Sequence, residues 1–320
     1  MSPTTPFREL AGRSKVVLPT WELRKEKEEV KYVLKMCRGV PQNDPHDEES
    51  LNSLIDTFET RDSDVFVCTY VKSGTTWTQQ IINLLRNKGE DGDLTYAEAV
   101  PWLEAAHFGG FLGEKEATNW TVDKIVANPD KRFFKTHANL KDIPCGKAPG
   151  VKVIYVCRNP KDVCVSLQHH ATNKPMFQYK GDLGDMLTFF GEGRCENGSW
   201  FDHVLEWYEA SKADPEHVIF LRYEDILADP PTYVKKIADF VGIDTTPEII
   251  EKTVVASTIS AMKNSAKANT QKEVNHLRKG GAGGWRDVFN VRQSEAFDRL
   301  YREQMKGSGL DMDFGEGLSM

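Results

Sequence analysis

The sequence predicts an α/β fold, a single domain with a central parallel sheet flanked by helices, on three observations. Val65–Tyr70, Lys152–Cys157 and Val218–Tyr223 are short runs of mostly aliphatic, β-branched and aromatic residues, as expected of strands buried on both faces. The first run feeds residues at helical spacing, with Ile81, Ile82 and Leu85 on one face. Strands that alternate with helices argue for a parallel sheet. No linker or repeat interrupts the chain, so its 320 residues read as one domain over residues 21–305, between a loose leader (1–20) and a poorly ordered tail (306–320).

In chain order, the leader mixes Pro, Thr and charge. Trp21–Met36 reads as a charged helix with Leu23, Val30 and Leu34 roughly on one face, and Pro41–Glu49 as an acidic loop. A helix over Ser50–Phe58 precedes the first buried strand. Lys88–Asp93 is a turn, and Pro101–Phe108 opens an acidic and aromatic segment. Arg132–Thr136 reads as a short strand ending at His137. Lys152–Cys157 is followed by Arg158-Asn159-Pro160-Lys161-Asp162 and a helix through Leu167. Gly181–Ser199 is glycine-rich and reads as a long loop, either a lid over the site or a plain surface excursion. Tyr233–Val241 is a helix stopped by Gly242, and the tail from Lys306 is again glycine-rich.

Composition bounds the function. A hydrophobic fraction of 39% supports a sizeable core. The net charge of −7 offers no basic field to nucleic acid or anionic lipid, so any anion site must be built from local cations and N–H groups. No apolar run approaches the ~18 residues of a membrane helix, and Met1–Lys15 has no apolar signal core. The six cysteines show no metal spacing, and several lie in apolar runs as buried thiols would; a reducing, cytoplasmic setting is expected.

The chemistry concentrates around Val65–Leu85. A buried strand gives way to Val71-Lys72-Ser73-Gly74-Thr75-Thr76-Trp77 and then a helix. Such a P-loop-like strand-turn-helix aims backbone N–H groups at whatever sits above the helix N-terminus, which favours an anion. Lys72 adds a positive charge, and Ser73, Thr75 and Thr76 add hydroxyls. The triphosphate motif G-x-x-x-x-G-K-[ST] is not matched, because Lys72 precedes Gly74. An ordinary βα turn with a solvated lysine is the plainer alternative.

Lys72–Trp77 resembles the 5′-phosphosulfate loop of the cytosolic sulfotransferases, T-Y-P-K-S-G-T-T-W, with Val71 in place of the usual proline. Arg158-Asn159-Pro160-Lys161-Asp162 through Ser166 is similar to the family's R-N-x-K-D-x-x-x-S, which implies that Arg158 and Ser166 meet the 3′-phosphate of the donor. Arginine's fork suits a phosphate monoester, although alone it would read as a surface or ion-pair residue. Arg278-Lys279-Gly280 through Trp285 resembles R-K-G-x-x-G-D-W, a second contact to that phosphate. Gly284 replaces the usual aspartate, a departure expected to loosen the loop. Tyr223 lies in Arg-Tyr-Glu-Asp. Ser257, Ile259 and Met262 match T-S-F-x-x-M, with Ile259 where an aromatic usually stacks on adenine and Trp77 expected on the other face.

Phe133-Phe134-Lys135-Thr136-His137 is similar to the family's F-K-T-H, which implies that His137 is the general base, with Lys72, Lys135 and Ser166 completing the catalytic set. A lone histidine after an apolar strand is otherwise more often structural. By position the acceptor pocket should draw on Val71, Trp102, Phe108 and His170, a set that suits a hydrophobic alcohol or phenol, although any of them could be core.

The resemblance implies an enzyme that moves a sulfuryl group from 3′-phosphoadenosine 5′-phosphosulfate to a hydroxyl or amine of a small molecule. It would release adenosine 3′,5′-bisphosphate and use no metal. The alternatives are a nucleotide or small-molecule kinase and a non-catalytic nucleotide-binding protein on the same fold. Arg286–Glu295 departs from the family's dimerisation segment K-x-x-x-T-V-x-x-x-E, keeping only Val291 and Glu295, so a monomer or loose homodimer is expected.

Overall fold

The computed structural model describes residues 30–43, 48–107, 122–144, 148–270, 277 and 280–312. A short hairpin, β1 (Lys35–Cys37) and β2 (Val40–Gln42), precedes α1 (Glu48–Thr57). Four parallel strands follow in the order β4-β3-β5-β6: β3 (Val65–Thr69), β4 (Phe133–Thr136), β5 (Lys152–Cys157) and β6 (Val218–Arg222). The main helices are α2 (Thr75–Arg86), α3 (Pro160–Asn173), α4 (Leu183–Gly191), α5 (Trp200–Ala213), α6 (Pro230–Val241), α7 (Pro247–Ala256) and α8 (Val291–Met305).

The period of two along each strand divides the core. Val65, Val67, Ile154 and Val156 face one layer, where Ile81, Ile82 and Leu85 of α2 meet Val234 and Ile237 of α6. Phe66, Cys68, Tyr155 and Cys157 face the other, against α3, α4, α5 and α8. Tyr155 is stacked between Trp207 (5.6 Å) and Phe220 (5.3 Å). Coverage on both faces is why these strands read as unbroken apolar runs. At the N-terminal edge of the sheet, Arg132 clamps Asp64 through two hydrogen bonds, from Nε (2.8 Å) and Nη2 (2.5 Å), and fixes β4 against β3.

Three expectations change. Residues 21–29 of the expected first helix lie outside the described set, and the rest of it is not helical but leads into β1. Val30, Tyr32 and Leu34 all pack on the core at a spacing of two, and Arg38-Gly39 supply the two positive φ angles (53° and 78°) of a tight hairpin turn. The expected loop over Gly181–Ser199 contains α4. Asp182 and Asp185 form a reciprocal capping box there, and Leu183, Met186, Leu187 and Phe190 line one buried face. The tail is partly packed: Leu310 and Met312 are buried, Arg222 donates to the Asp311 carbonyl (3.0 Å), and Met312 Sδ lies 3.8 Å from Cys157 Sγ. Residues 313–320 and the leader lie outside the described residues.

Candidate active site

In a parallel sheet every strand ends at the same edge, and ligands bind in the crevice beyond it where the strand order reverses. β3 is that reversal point, with β4 on one side and β5 on the other. The register places Thr136 beside Cys68 and Cys157 beside Arg222. The first residues past β4, β5 and β6 are therefore His137, Arg158 and Tyr223, brought together around the β3–α2 turn that carries Lys72. All four line one cavity of about 590 Å³.

The turn is shaped for an anion. Lys72 and Gly74 have positive φ (69° and 107°), and no side chain caps α2 at Gly74, so the first N–H groups of the helix have no side-chain acceptor there. A Cβ at Gly74 would lie 2.7 Å from Tyr223 Cδ2, so only glycine lets the turn approach that ring. Thr75 is held by a 2.7 Å hydrogen bond to Thr69 Oγ1, and Thr76 and Trp77 line the cavity. Ser73 is fully buried below the wall, and its Oγ has no hydrogen-bond partner among the described residues.

Arg158 is held on three sides. Its guanidinium sits 4.6 Å over the Tyr223 ring and donates to the carbonyls of Gly281 (2.8 Å) and Lys72 (3.3 Å), while Nε is buried without a partner among the described residues. Ser166, two turns along α3, lines the same cavity, as do Ser257, Ile259, Met262 and Gly280. Arg278 and Lys279 lie outside the described residues. The glycine loop beside them is nevertheless anchored: Asp162 accepts from the N–H groups of Gly283 (2.6 Å) and Trp285 (2.9 Å). This carboxylate restrains the loop in which Gly284 replaces the usual aspartate. Trp77 meets Tyr223 edge to face at 5.1 Å, and Ile259, in the position where an aromatic was expected, lines the same cavity.

His137 follows β4 and is 7% exposed. Its Nδ1 lies 2.9 Å from the Thr69 carbonyl oxygen, which can only accept, so Nδ1 carries the hydrogen and Nε2 keeps the lone pair. Burial, then Lys135 and other nearby cations, push its pKa well below the usual histidine value. A layer behind, His203 Nε2 donates to the His137 carbonyl (3.1 Å), so its Nδ1 accepts from the Tyr155 hydroxyl (2.8 Å). His203 was not singled out in the sequence, since nothing in its helical context marks it. Lys135 is steered over the Trp102 ring at 4.0 Å. Burial, then the charge of Lys174, lowers the Lys72 pKa to about 7. The cavity thus concentrates cations that an anion would relieve.

Val71, Trp102 and His170, expected at the acceptor end, line the same cavity, and Phe108 lies outside the described residues. The lining is more polar than that expected set, because Asn43, Lys174 and Glu196 also line the cavity. The uncapped helix, the orphan Arg158 Nε and the cation cluster together fit a donor carrying phosphates at both ends of a ribose.

The family described as Sulfotransferase domain matches residues 62–309. The chain is a member of the sulfotransferase family. Human Sulfotransferase 1C2 is 32% identical over 272 residues, covering 81% of this chain and 88% of that protein. The Amine sulfotransferase of rabbit (Oryctolagus cuniculus) is 34% identical over 269 residues, covering 79% and 84%. Among solved structures, this sulfotransferase is similar to mouse sulfotransferase SULT7A1 complexed with PAP (29% identity, TM-score 0.69, covering 86% and 95%). It is also similar to retinol dehydratase in complex with androsterone and inactive cofactor PAP (25% identity, TM-score 0.73, covering 88% and 92%). The protein is a transferase that moves a sulfuryl group from 3′-phosphoadenosine 5′-phosphosulfate to small acceptors, which sets aside the kinase and the non-catalytic alternatives. Among the described residues no helix is long and apolar enough to cross a membrane.

Proposed function

We propose that His137 Nε2 is the general base of an in-line sulfuryl transfer, and that Lys72 and Lys135 hold the charge that moves. The donor supplies an activated sulfuryl group on a good leaving phosphate. The acceptor oxygen forms its bond to sulfur as its proton passes to Nε2. The bond from sulfur to the phosphate oxygen breaks with its electrons, and adenosine 3′,5′-bisphosphate leaves. Arg158 and Ser166, with the backbone at Gly280, receive the 3′-phosphate. Lys72, Gly74, Thr75 and Thr76 receive the 5′-phosphate, with Ser73 behind them below the cavity wall, and Trp77, Tyr223, Ser257, Ile259 and Met262 enclose the base. The supporting observation is the 2.9 Å contact from His137 Nδ1 to the Thr69 carbonyl, which leaves a neutral, basic Nε2 on the cavity shared with both lysines.

The test is His137→Ala on two acceptors. With a weakly acidic alcohol kcat should fall about 10²–10⁴-fold, whereas a phenol already ionised at assay pH should lose far less. Adenosine 3′,5′-bisphosphate should still bind. Equal losses on both acceptors would sink the assignment.

Five cysteines among the described residues are buried and in no disulfide, which supports a reducing, cytoplasmic location. Val291, 72% exposed, and Val288, 41%, put only a small apolar surface on Arg286–Glu295, the stretch that departs from the expected dimerisation motif, so a monomer or loose homodimer is the proposed assembly. A dimer persisting at nanomolar concentration in sedimentation would contradict it.

A further inference from the structure

We propose that Lys174 is the acceptor-recognition cation of this enzyme, and that its acceptors carry an anionic group, such as a carboxylate, beside the hydroxyl or amine that is sulfated. The inference rests on the donor and acceptor ends assigned above.

The argument begins with α3. Asp162, Ser166, His170 and Lys174 recur every four residues and all line the cavity, so one face of this helix and its C-cap forms a continuous wall. At 1.5 Å per residue, Lys174 stands about 12 Å along the axis from Ser166, away from the 3′-phosphate end. Its charge nevertheless reaches the reaction centre: among neighbouring charges it acts most strongly on Lys72, ahead of Glu196, Lys135 and Arg158. Lys174 therefore borders the place where an acceptor must lie to approach the sulfuryl group.

The charges at this end are unequally engaged. Glu196, 3% exposed, turns towards His170 at 3.5 Å and also offsets Lys72. His170, buried among Lys72, Lys174 and Lys135, is held neutral with its pKa well below the usual value. Lys135 lies on the Trp102 ring, and Arg158 on Tyr223. The Lys174 side chain is partly buried, and its ammonium has no ion pair and no hydrogen bond to any described residue. Bound donor would neutralise Lys72 and Arg158 through its phosphates but leaves Lys174 to the acceptor. A partly buried ammonium beside a substrate pocket favours an anion over a neutral isostere and disfavours a second cation.

The test uses the full chain and two acceptor sets of similar length whose far end is anionic, neutral or cationic: 4-hydroxyphenylacetate, its amide and tyramine; and 6-hydroxyhexanoate, its amide and 6-aminohexan-1-ol. Each set is assayed for kcat/KM with donor, and for binding to the protein saturated with adenosine 3′,5′-bisphosphate. The wild type should favour the carboxylate over the amide by about tenfold, as expected for a hydrogen bond to a charged group. Lys174→Met should level the two, and Lys174→Glu should move the preference to the ammonium form. Equal use of carboxylate and amide by the wild type would overturn the proposal. So would a wild-type preference for the ammonium form, which would make Glu196 the dominant charge, or a preference unchanged in Lys174→Glu. If no acceptor turns over, tighter binding of carboxylate than amide would still support Lys174 and place the failure in the assigned chemistry. Equal binding would remove the proposal.

Discussion

Substituting Gly74 by alanine tests the geometry of the phosphosulfate turn most directly, and a second glycine serves as its control. Gly74 has φ +107°, and an added Cβ would stand 2.7 Å from Tyr223 Cδ2. Gly242, at the end of α6, has φ +69° with nothing within 4 Å of the same position. Both alanines pay for a left-handed backbone, roughly 1–2 kcal/mol, which lowers Tm by about 2–4 °C per kcal/mol in domains approaching this size. Only at Gly74 must an aromatic ring retreat by more than half an ångström to reach ordinary contact. Tyr223 supports Arg158 at 4.6 Å and touches Trp77 at 5.1 Å, so its displacement misaims the fork proposed to hold the 3′-phosphate. Loss of a charge-assisted hydrogen bond costs about 1.5–3 kcal/mol, or about 10- to 100-fold in affinity. Calorimetric titration with adenosine 3′,5′-bisphosphate, beside thermal unfolding, separates the two effects. Gly242→Ala should lose stability and keep nucleotide affinity; Gly74→Ala should lose both. Wild-type nucleotide binding by folded Gly74→Ala would refute the role given to Tyr223, and so would matching affinity losses in the two variants.

Two further outcomes follow from the same cavity. Arg158→Ala should weaken adenosine 3′,5′-bisphosphate far more than adenosine 5′-monophosphate; equal losses would move Arg158 away from the 3′-phosphate. Lys72, depressed to about 7 in the empty site, gives up its proton as pH rises through that value, whereas a bound phosphate restores its ordinary affinity for the proton. Nucleotide binding should therefore take up a proton above pH 7 and weaken as pH climbs, both readable by titration in buffers of different ionisation enthalpy. Lys72→Met should abolish the uptake. His137, with its pKa lowered, stays neutral into mild acid, so the acid limb of kcat/KM should begin below the usual histidine range.

Much of the sheet, and the set of residues gathered in the cavity at its edge, was legible because it is written locally. Buried strands show as apolar runs, and the residues one step beyond Thr136, Cys157 and Arg222 must meet at one edge once the strands are parallel. The rest depended on contacts distant in sequence. Trp21–Met36 is charged enough to pass for a helix, and the strand at its end comes from the Arg38-Gly39 turn and the packing of Val30, Tyr32 and Leu34 on the core. In Gly181–Ser199 the glycines masked a helical spacing that Asp182 and Asp185 cap at its start. Lys174 could have been found by extending the four-residue spacing from Ser166 through His170. Glu196 could not, because only the fold brings the stretch after α4 to the cavity.

The wall formed by α3 has a consequence for how such an enzyme changes its trade. One rigid rod carries Asp162 and Ser166 in its first half and His170 and Lys174 in its second, successive contacts being one turn apart. Those two halves face different molecules in the reading advanced here. Rewriting the last turn would then redirect the enzyme to a new acceptor while the grip on the common donor, two turns upstream, is inherited intact. The helix lets lineages diversify at one end without renegotiating the other.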